Sequence, residues 1–227
     1  YIILTTLNII TLKTTTTALR YSVGGMDCKD NCYTTPISYL PNVEVYDLAT
    51  DTWTALPPMK IGRRDIGAAV VDGGKLLVVG GCGGSNDTPY SECTPYSAME
   101  VYDPATNEWS GGPALQQPRH GYALGIHDGS IFAAGGSYGV GIDAGSSAAS
   151  LIADIEVLTY TGADTNKWTT LAQMPEPRDG LVKGYGLFIG TAMFTVTGSN
   201  STGAYTGTTS AMALYCGTGF ESGSELC

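Results

Sequence analysis

Apolar residues along this chain come in short runs that lack helical spacing. The run Lys75-Leu76-Leu77-Val78-Val79 is apolar at consecutive positions, as expected for a strand covered on both faces, and Gly80-Gly81 closes it. Polar, Gly-rich segments with Asp, Asn and Pro follow such runs and carry turn chemistry. The pattern predicts strands at 67–71, 75–80, 98–102 and 106–110, and a second group at 121–127, 130–134, 153–159 and 167–170. Before them come strands at 16–23, 43–46 and 52–55, with one more somewhere within 1–13. After them, two strands fall within 184–196 and a third at 211–215.

These groups repeat. Val43-Glu44-Val45-Tyr46-Asp47-Leu48-Ala49-Thr50-Asp51-Thr52-Trp53 returns as Met99-Glu100-Val101-Tyr102-Asp103-Pro104-Ala105-Thr106-Asn107-Glu108-Trp109, and more loosely as Ile155-Glu156-Val157-Leu158 leading to Trp168. Each Tyr-Asp segment follows a Gly pair: Gly24-Gly25, Gly80-Gly81 and Gly135-Gly136, with Thr197-Gly198-Ser199 as a degenerate fourth. The first two Gly-pair intervals are 56 and 55 residues. After each Trp comes a Pro-containing turn and an Arg, read as Arg64, Arg119 and Arg178 in register.

An apolar strand ending in Gly-Gly, a Val-Tyr-Asp strand, a turn with Trp, then Pro and Arg closely resembles the kelch repeat. The resemblance implies an all-β, kelch-type β-propeller of about four recognisable four-stranded blades, 1–60, 61–115, 116–175 and 176–227, in one domain. No Trp strand follows in the fourth blade. Four repeats are fewer than kelch rings commonly use, which leaves three explanations open: flanking blades outside this sequence, an unusual small ring, or pairing between copies through exposed edges with 1–12 as donor.

Composition supports this class. With 31 Gly, 11 Pro and only 14% charged residues, the chain is poor in the residues that build amphipathic helices. A net charge of −10 with 11 Lys plus Arg argues against nucleic acid and anionic membrane surfaces, and no apolar run approaches the roughly 20 residues of a spanning helix. Six cysteines fall into three sequence-local pairs, Cys28 with Cys32, Cys82 with Cys93 and Cys216 with Cys227. Their spacing favours disulfides over zinc, because no paired Cys-x2-Cys knuckles occur and neither His is close in sequence. Sequons at Asn86 and Asn200 agree with an extracellular, glycosylated protein.

Chemistry is harder to find. His120 and His127 sit near opposite ends of one predicted strand, about 20 Å apart at ~3.3 Å per residue, so they cannot share a metal. No Gly-x-Ser-x-Gly elbow or strand-turn-helix dinucleotide motif occurs. The expectation is therefore a scaffold without enzymatic activity and without a cofactor, extracellular, structural or adhesive. Its loop faces or sheet edges would contact protein or glycan, self-association included. The alternative is a fragment of a secreted kelch-type enzyme, carbohydrate-active or oxidase, with its catalytic residues elsewhere. In some kelch domains Arg residues near the blade entry line a ligand-binding mouth, which makes Arg64, Arg119 and Arg178 a candidate binding face. The competing reading gives each Arg the structural task of satisfying carbonyls or a carboxylate between blades.

Overall fold

The computed structural model describes residues 8–13, 18–27, 37–84, 93–139, 151–161, 166–179, 187–189, 192–195 and 210–213. Among them there is no α-helix, and four antiparallel sheets follow one another along the chain. The first contains β1 (Asn8–Lys13) and β2 (Ala18–Val23). The short strands β3 (Met26–Asp27) and β4 (Ser38–Tyr39) pair with each other, and β5 (Val43–Asp47) and β6 (Thr52–Leu56) complete the order β1-β2-β5-β6. Residues 8–12, expected as a donor strand for a second copy, are thus already hydrogen-bonded inside this sheet.

The second sheet repeats the scheme. Strands β7 (Gly67–Val70) and β8 (Leu76–Val79) lead to the two-stranded ladder of β9 (Cys82–Gly83) with β10 (Thr94–Pro95). The sheet then resumes through β11 (Met99–Asp103) and β12 (Glu108–Gly112). The third holds β13 (Ala123–His127), β14 (Ser130–Ala134), β15 (Asp154–Thr159) and β16 (Thr169–Gln173). The fourth has three strands, β17 (Leu187–Ile189), β18 (Ala192–Thr195) and β19 (Ser210–Ala213). The innermost strands β1, β7, β13 and β17 pack in succession, so the sheets are consecutive blades of a β-propeller.

Packing explains the apolar runs. In β8, Leu76 and Val78 join Tyr21, Val23 and Val43 of the first blade, whereas Leu77 and Val79 join Leu124, Ile131 and Ala133 of the third. Successive side chains point to opposite faces, so a strand sandwiched between two blades must be apolar at every position. Burying each large aliphatic side chain contributes about 1.5–3 kcal/mol. In β14 the same logic sends Ile131 and Ala133 toward blade two, and Phe132 and Ala134 into a cluster with Ala123, Ile155 and Met174.

The hairpins after β5 and β11 explain the Tyr-Asp repeat. The Asp47 and Asp103 carboxylates accept hydrogen bonds from the N–H groups of Ala49 and Ala105, and Asp51 and Asn107 take the left-handed conformation that ends each turn. Tyr46 lies opposite Trp53 and Tyr102 opposite Trp109, with ring centroids 5.1 and 5.4 Å apart. The outer strands differ from expectation. Strand β12 starts at Glu108 because Thr106 and Asn107 belong to the turn, and Trp168 lies just before β16. A register irregularity between Ile155 and Glu156 leaves Leu171 unpaired; continued past Thr169, the register sets Trp168 across from Leu158, where the other two blades place Tyr and Trp.

Candidate functional site

Backbone hydrogen bonds tie the Gly-Gly pairs and the Arg residues to the first and last described residues of the segments between the second and third strands. After each pair the chain leaves its sheet and forms a minimal ladder, β3 with β4 and β9 with β10, reduced in the third blade to a bridge between Ser137 and Leu151. The N–H of Gly25, Gly81 and Gly136 donates to the carbonyls of Arg63, Arg119 and Arg178 at 2.9, 2.9 and 2.8 Å. Only glycine fits so close an approach: a Cβ on Gly24, where φ is +63°, would stand 2.4 Å from the Arg63 carbonyl oxygen.

The side chains of Arg63 and Arg119 reach forward into the next blade. Arg63 Nη1 donates to the carbonyls of Gly80 and Ala98, and its Nη2 to the Glu100 carboxylate. Arg119 repeats each contact, to Gly135 O and Asp154 O at 3.0 Å and to Glu156 at 2.5 Å. Both glutamates also accept backbone N–H groups from the preceding segment, Lys60 on Glu100 and Gln116 and Gln117 on Glu156. Arg63 and Arg119 therefore each close one blade with their carbonyl and open the next with their guanidinium. A fixed bed for the loops results.

This geometry shifts the arginine register by one residue in the first repeat. Arg63, not Arg64, is the equivalent of Arg119 and Arg178, because the Gly N–H bonds select its carbonyl. Arg119 is fully buried between blades. Arg178 is also buried and pairs with Glu176 at 3.2 Å. Arg64 occupies the position of His120 and is equally buried, paired with Asp65 and donating from Nη2 to Cys93 Sγ at 3.3 Å.

Cys82 and Cys93 are joined in a disulfide with Cα atoms 5.4 Å apart, the bond fastening the β9–β10 ladder. Cys28, Cys32, Cys216, Cys227, Asn86 and Asn200 lie outside the described residues. His120 was separated from the cysteines by its place in the sequence, but the fold reverses this. Backbone bridges Arg64 to Cys82 and His120 to Ser137 set adjacent repeats side by side, and His120 brings a ring nitrogen within 4.8 Å of both sulfurs. No spacing rule could have found that trio, whose members come from two successive repeats.

Other polar groups serve the frame. Tyr122, buried between blades two and three, donates its hydroxyl to Val79 O at 2.7 Å and accepts the Gly67 N–H at 3.2 Å; burial pushes its pKa up. Trp109 and Trp168 donate their indole N–H groups to Pro57 O and Pro113 O of the preceding repeat, at 2.7 and 2.9 Å. On the loop side Tyr138 is 45% exposed, and the Arg63 guanidinium stacks over Tyr96 at 6.0 Å from the ring centre.

Known proteins agree with this repeat. The Kelch motif family model matches residues 21–60 and 67–116. Kelch-like protein terF of Aspergillus terreus is 33% identical over 144 residues, covering 63% of this chain and 29% of that protein. Kelch-like ECH-associated protein 1A of Danio rerio is 32% identical over 99 residues, covering 44% of this chain and 16% of that protein. The chain thus spans less than a third of either relative's length. Among solved structures, YjhT superposes with a TM-score of 0.64 over 85% of this chain and 58% of that chain, at 16% identity, a likeness of fold. Motif matches, related sequences and the consecutive four-stranded blades lead to one assignment: the chain carries kelch repeats and folds as a kelch-type β-propeller.

Proposed function

We propose that this chain is a non-enzymatic, extracellular binding scaffold, and that the side bearing the β3–β4 and β9–β10 ladders contacts a protein or glycan partner. As a kelch-repeat propeller it provides a scaffold for protein binding; the compartment and the glycan option go further. The observation carrying the proposal is the stapled loop: Cys82 and Cys93 fasten a two-residue ladder directly onto the bed of buried Arg63–Glu100 and Arg119–Glu156 pairs. Loops held rigid before binding lose less entropy on association, which is the physical use of such a staple. A disulfide in this role suits an oxidising compartment, and the exposed ring of Tyr138 offers the amphipathic surface that protein and sugar faces favour.

The test is binding of the full chain to an immobilised panel of glycans and secreted proteins, with Tyr138→Ala and a Cys82→Ala/Cys93→Ala variant alongside. Partners should weaken at least tenfold with either variant. Partners that bind both variants as they bind the parent would move the contact off this face. Non-reducing peptide mapping of protein from its natural source should return the Cys82–Cys93 peptide, and free thiols there would remove the extracellular half of the proposal.

A further inference from the structure

Beside the β9–β10 ladder lies a group of which the binding role uses only the disulfide. Cys82, Cys93 and His120 are all buried, and one ligand atom from each, two sulfurs and an imidazole nitrogen, lie within 4.8 Å of one another. His120 Nε2 is enclosed with no hydrogen-bond partner among the described residues. A buried imidazole nitrogen in that condition has lost water and gained nothing, which is unusual unless another ligand takes the place. The backbone holds the trio firmly: Arg64 and Cys82 exchange both N–H···O bonds at 2.9 Å, and His120 and Ser137 do so at 3.0 Å.

We propose that Cys82, Cys93 and His120 are a copper(I) site, closed while the two cysteines are joined and opened when a dithiol reduces them. Reduction transfers two electrons and two protons from the dithiol to the sulfur pair, and the dithiol leaves as its own disulfide. Copper(I) then displaces the two thiol protons to solvent and is held by two thiolates and one imidazole nitrogen. The Cα separation of 5.4 Å suits either two bonded sulfurs or two thiolates on one ion.

Ligand chemistry selects the ion. Two thiolates and an imidazole form a soft donor set, which calcium and magnesium do not take. Zinc would accept the same donors but closes structural sites with four, and the trio supplies three in a dry interior. Copper(I) is soft and is satisfied by two or three such ligands. The Arg64 N–H already directed at Cys93 Sγ at 3.3 Å would offset part of the negative charge left by two thiolates, while Asp65 holds that guanidinium in place.

The experiment uses the full chain with Cys28, Cys32, Cys216 and Cys227 changed to Ser, reduced on an immobilised dithiol and titrated anaerobically with copper(I) against the chromogenic chelator bicinchoninate. One copper per chain should be withheld from the chelator, and X-ray absorption should report two sulfur neighbours and one nitrogen. Cys93→Ser should abolish retention and His120→Gln weaken it at least tenfold, while unreduced protein should retain none. The proposal is overturned if the reduced chain surrenders all its copper, if both variants hold copper like the parent, or if zinc binds and copper does not. Should the four-serine background fail to fold, the reduced parent chain is alkylated with and without copper(I): protection of Cys82 and Cys93 is expected, and its absence overturns the site equally.

Discussion

The Arg119 guanidinium stands 2.5 Å from the Glu156 carboxylate, with the two side chains 0% and 1% exposed. Removing both charges from water costs several kcal/mol per ion, which attraction alone does not repay unless the remaining hydrogen-bonding capacity is filled. Here it largely is. Two carbonyls take Arg119 Nη1, and the N–H groups of Gln116 and Gln117 donate to Glu156. The pair thus binds the exit of blade two, the entrance of blade three and the third strand of that blade into one unit, as Arg63 and Glu100 do one repeat earlier.

Breaking the pair from one side should therefore be severe. Arg119→Met leaves Glu156 buried without its cation, and a loss of about 3–5 kcal/mol in urea unfolding is expected. The double variant Arg119→Met/Glu156→Met should recover part of that loss, since no lone charge remains. Additive losses in the double variant would show that the two side chains act separately.

The two middle repeats were legible in the sequence because their chemistry is local. The Asp103 turn and the Tyr102–Trp109 pair act within a few residues, and the left-handed backbone of Gly80-Gly81 is a local demand, so the same letters recur where the same geometry recurs. The arginine register was misread by one position because Arg63 and Arg64 are adjacent and only the long-range bond from Gly25 distinguishes them. The start of β16 was misplaced because a register irregularity carries no residue signature. The approach of His120 to Cys82 and Cys93 was invisible for a deeper reason: it arises between repeats, where sequence separation says nothing about distance.

The three indoles should not contribute equally. Trp168 is 2% exposed and its N–H is bonded to Pro113 O, whereas Trp53 is 50% exposed and makes no such bond among the described residues. Trp168→Ala is expected to cost about 3–5 kcal/mol through cavity and lost hydrogen bond, and Trp53→Ala under about 1 kcal/mol. Chemical denaturation of both variants compares them directly, and equal losses would mean that Trp53 is covered in solution.

Opening the Cys82–Cys93 bond should loosen the loop more than the blade. The sulfurs enclose a short stretch with a sequence separation of 11, for which chain-entropy arguments give about 2–3 kcal/mol. Cys82→Ala/Cys93→Ala should lower stability by that amount. Amide exchange should quicken at Gly83 and Thr94 while the β8–β11 ladder stays protected. Equal acceleration in β8 would place the disulfide inside the cooperative core.

Alkaline pH should unfold the protein through Tyr122. Its phenol ordinarily titrates at 10.0, and burial drives the folded-state value upward, against weaker opposing effects from Arg119 and the Gly67 N–H. The raised value means that the folded chain keeps this proton where the unfolded chain releases it. The stabilisation is complete below pH 10 and is lost as pH rises beyond it, by at most about 1.4 kcal/mol per pH unit from this one group. Tyr122→Phe removes the proton and with it that part of the slope, although Tyr21 and Tyr102, also shifted upward, retain theirs. At neutral pH the same variant strands the Gly67 N–H and the Val79 carbonyl, at a cost of about 1–2 kcal/mol. Urea midpoints between pH 7 and 11 should show the variant less stable at the low end and the two curves converging at the high end. Parallel curves would mean that Tyr122 ionises as readily in the folded chain as in the unfolded one.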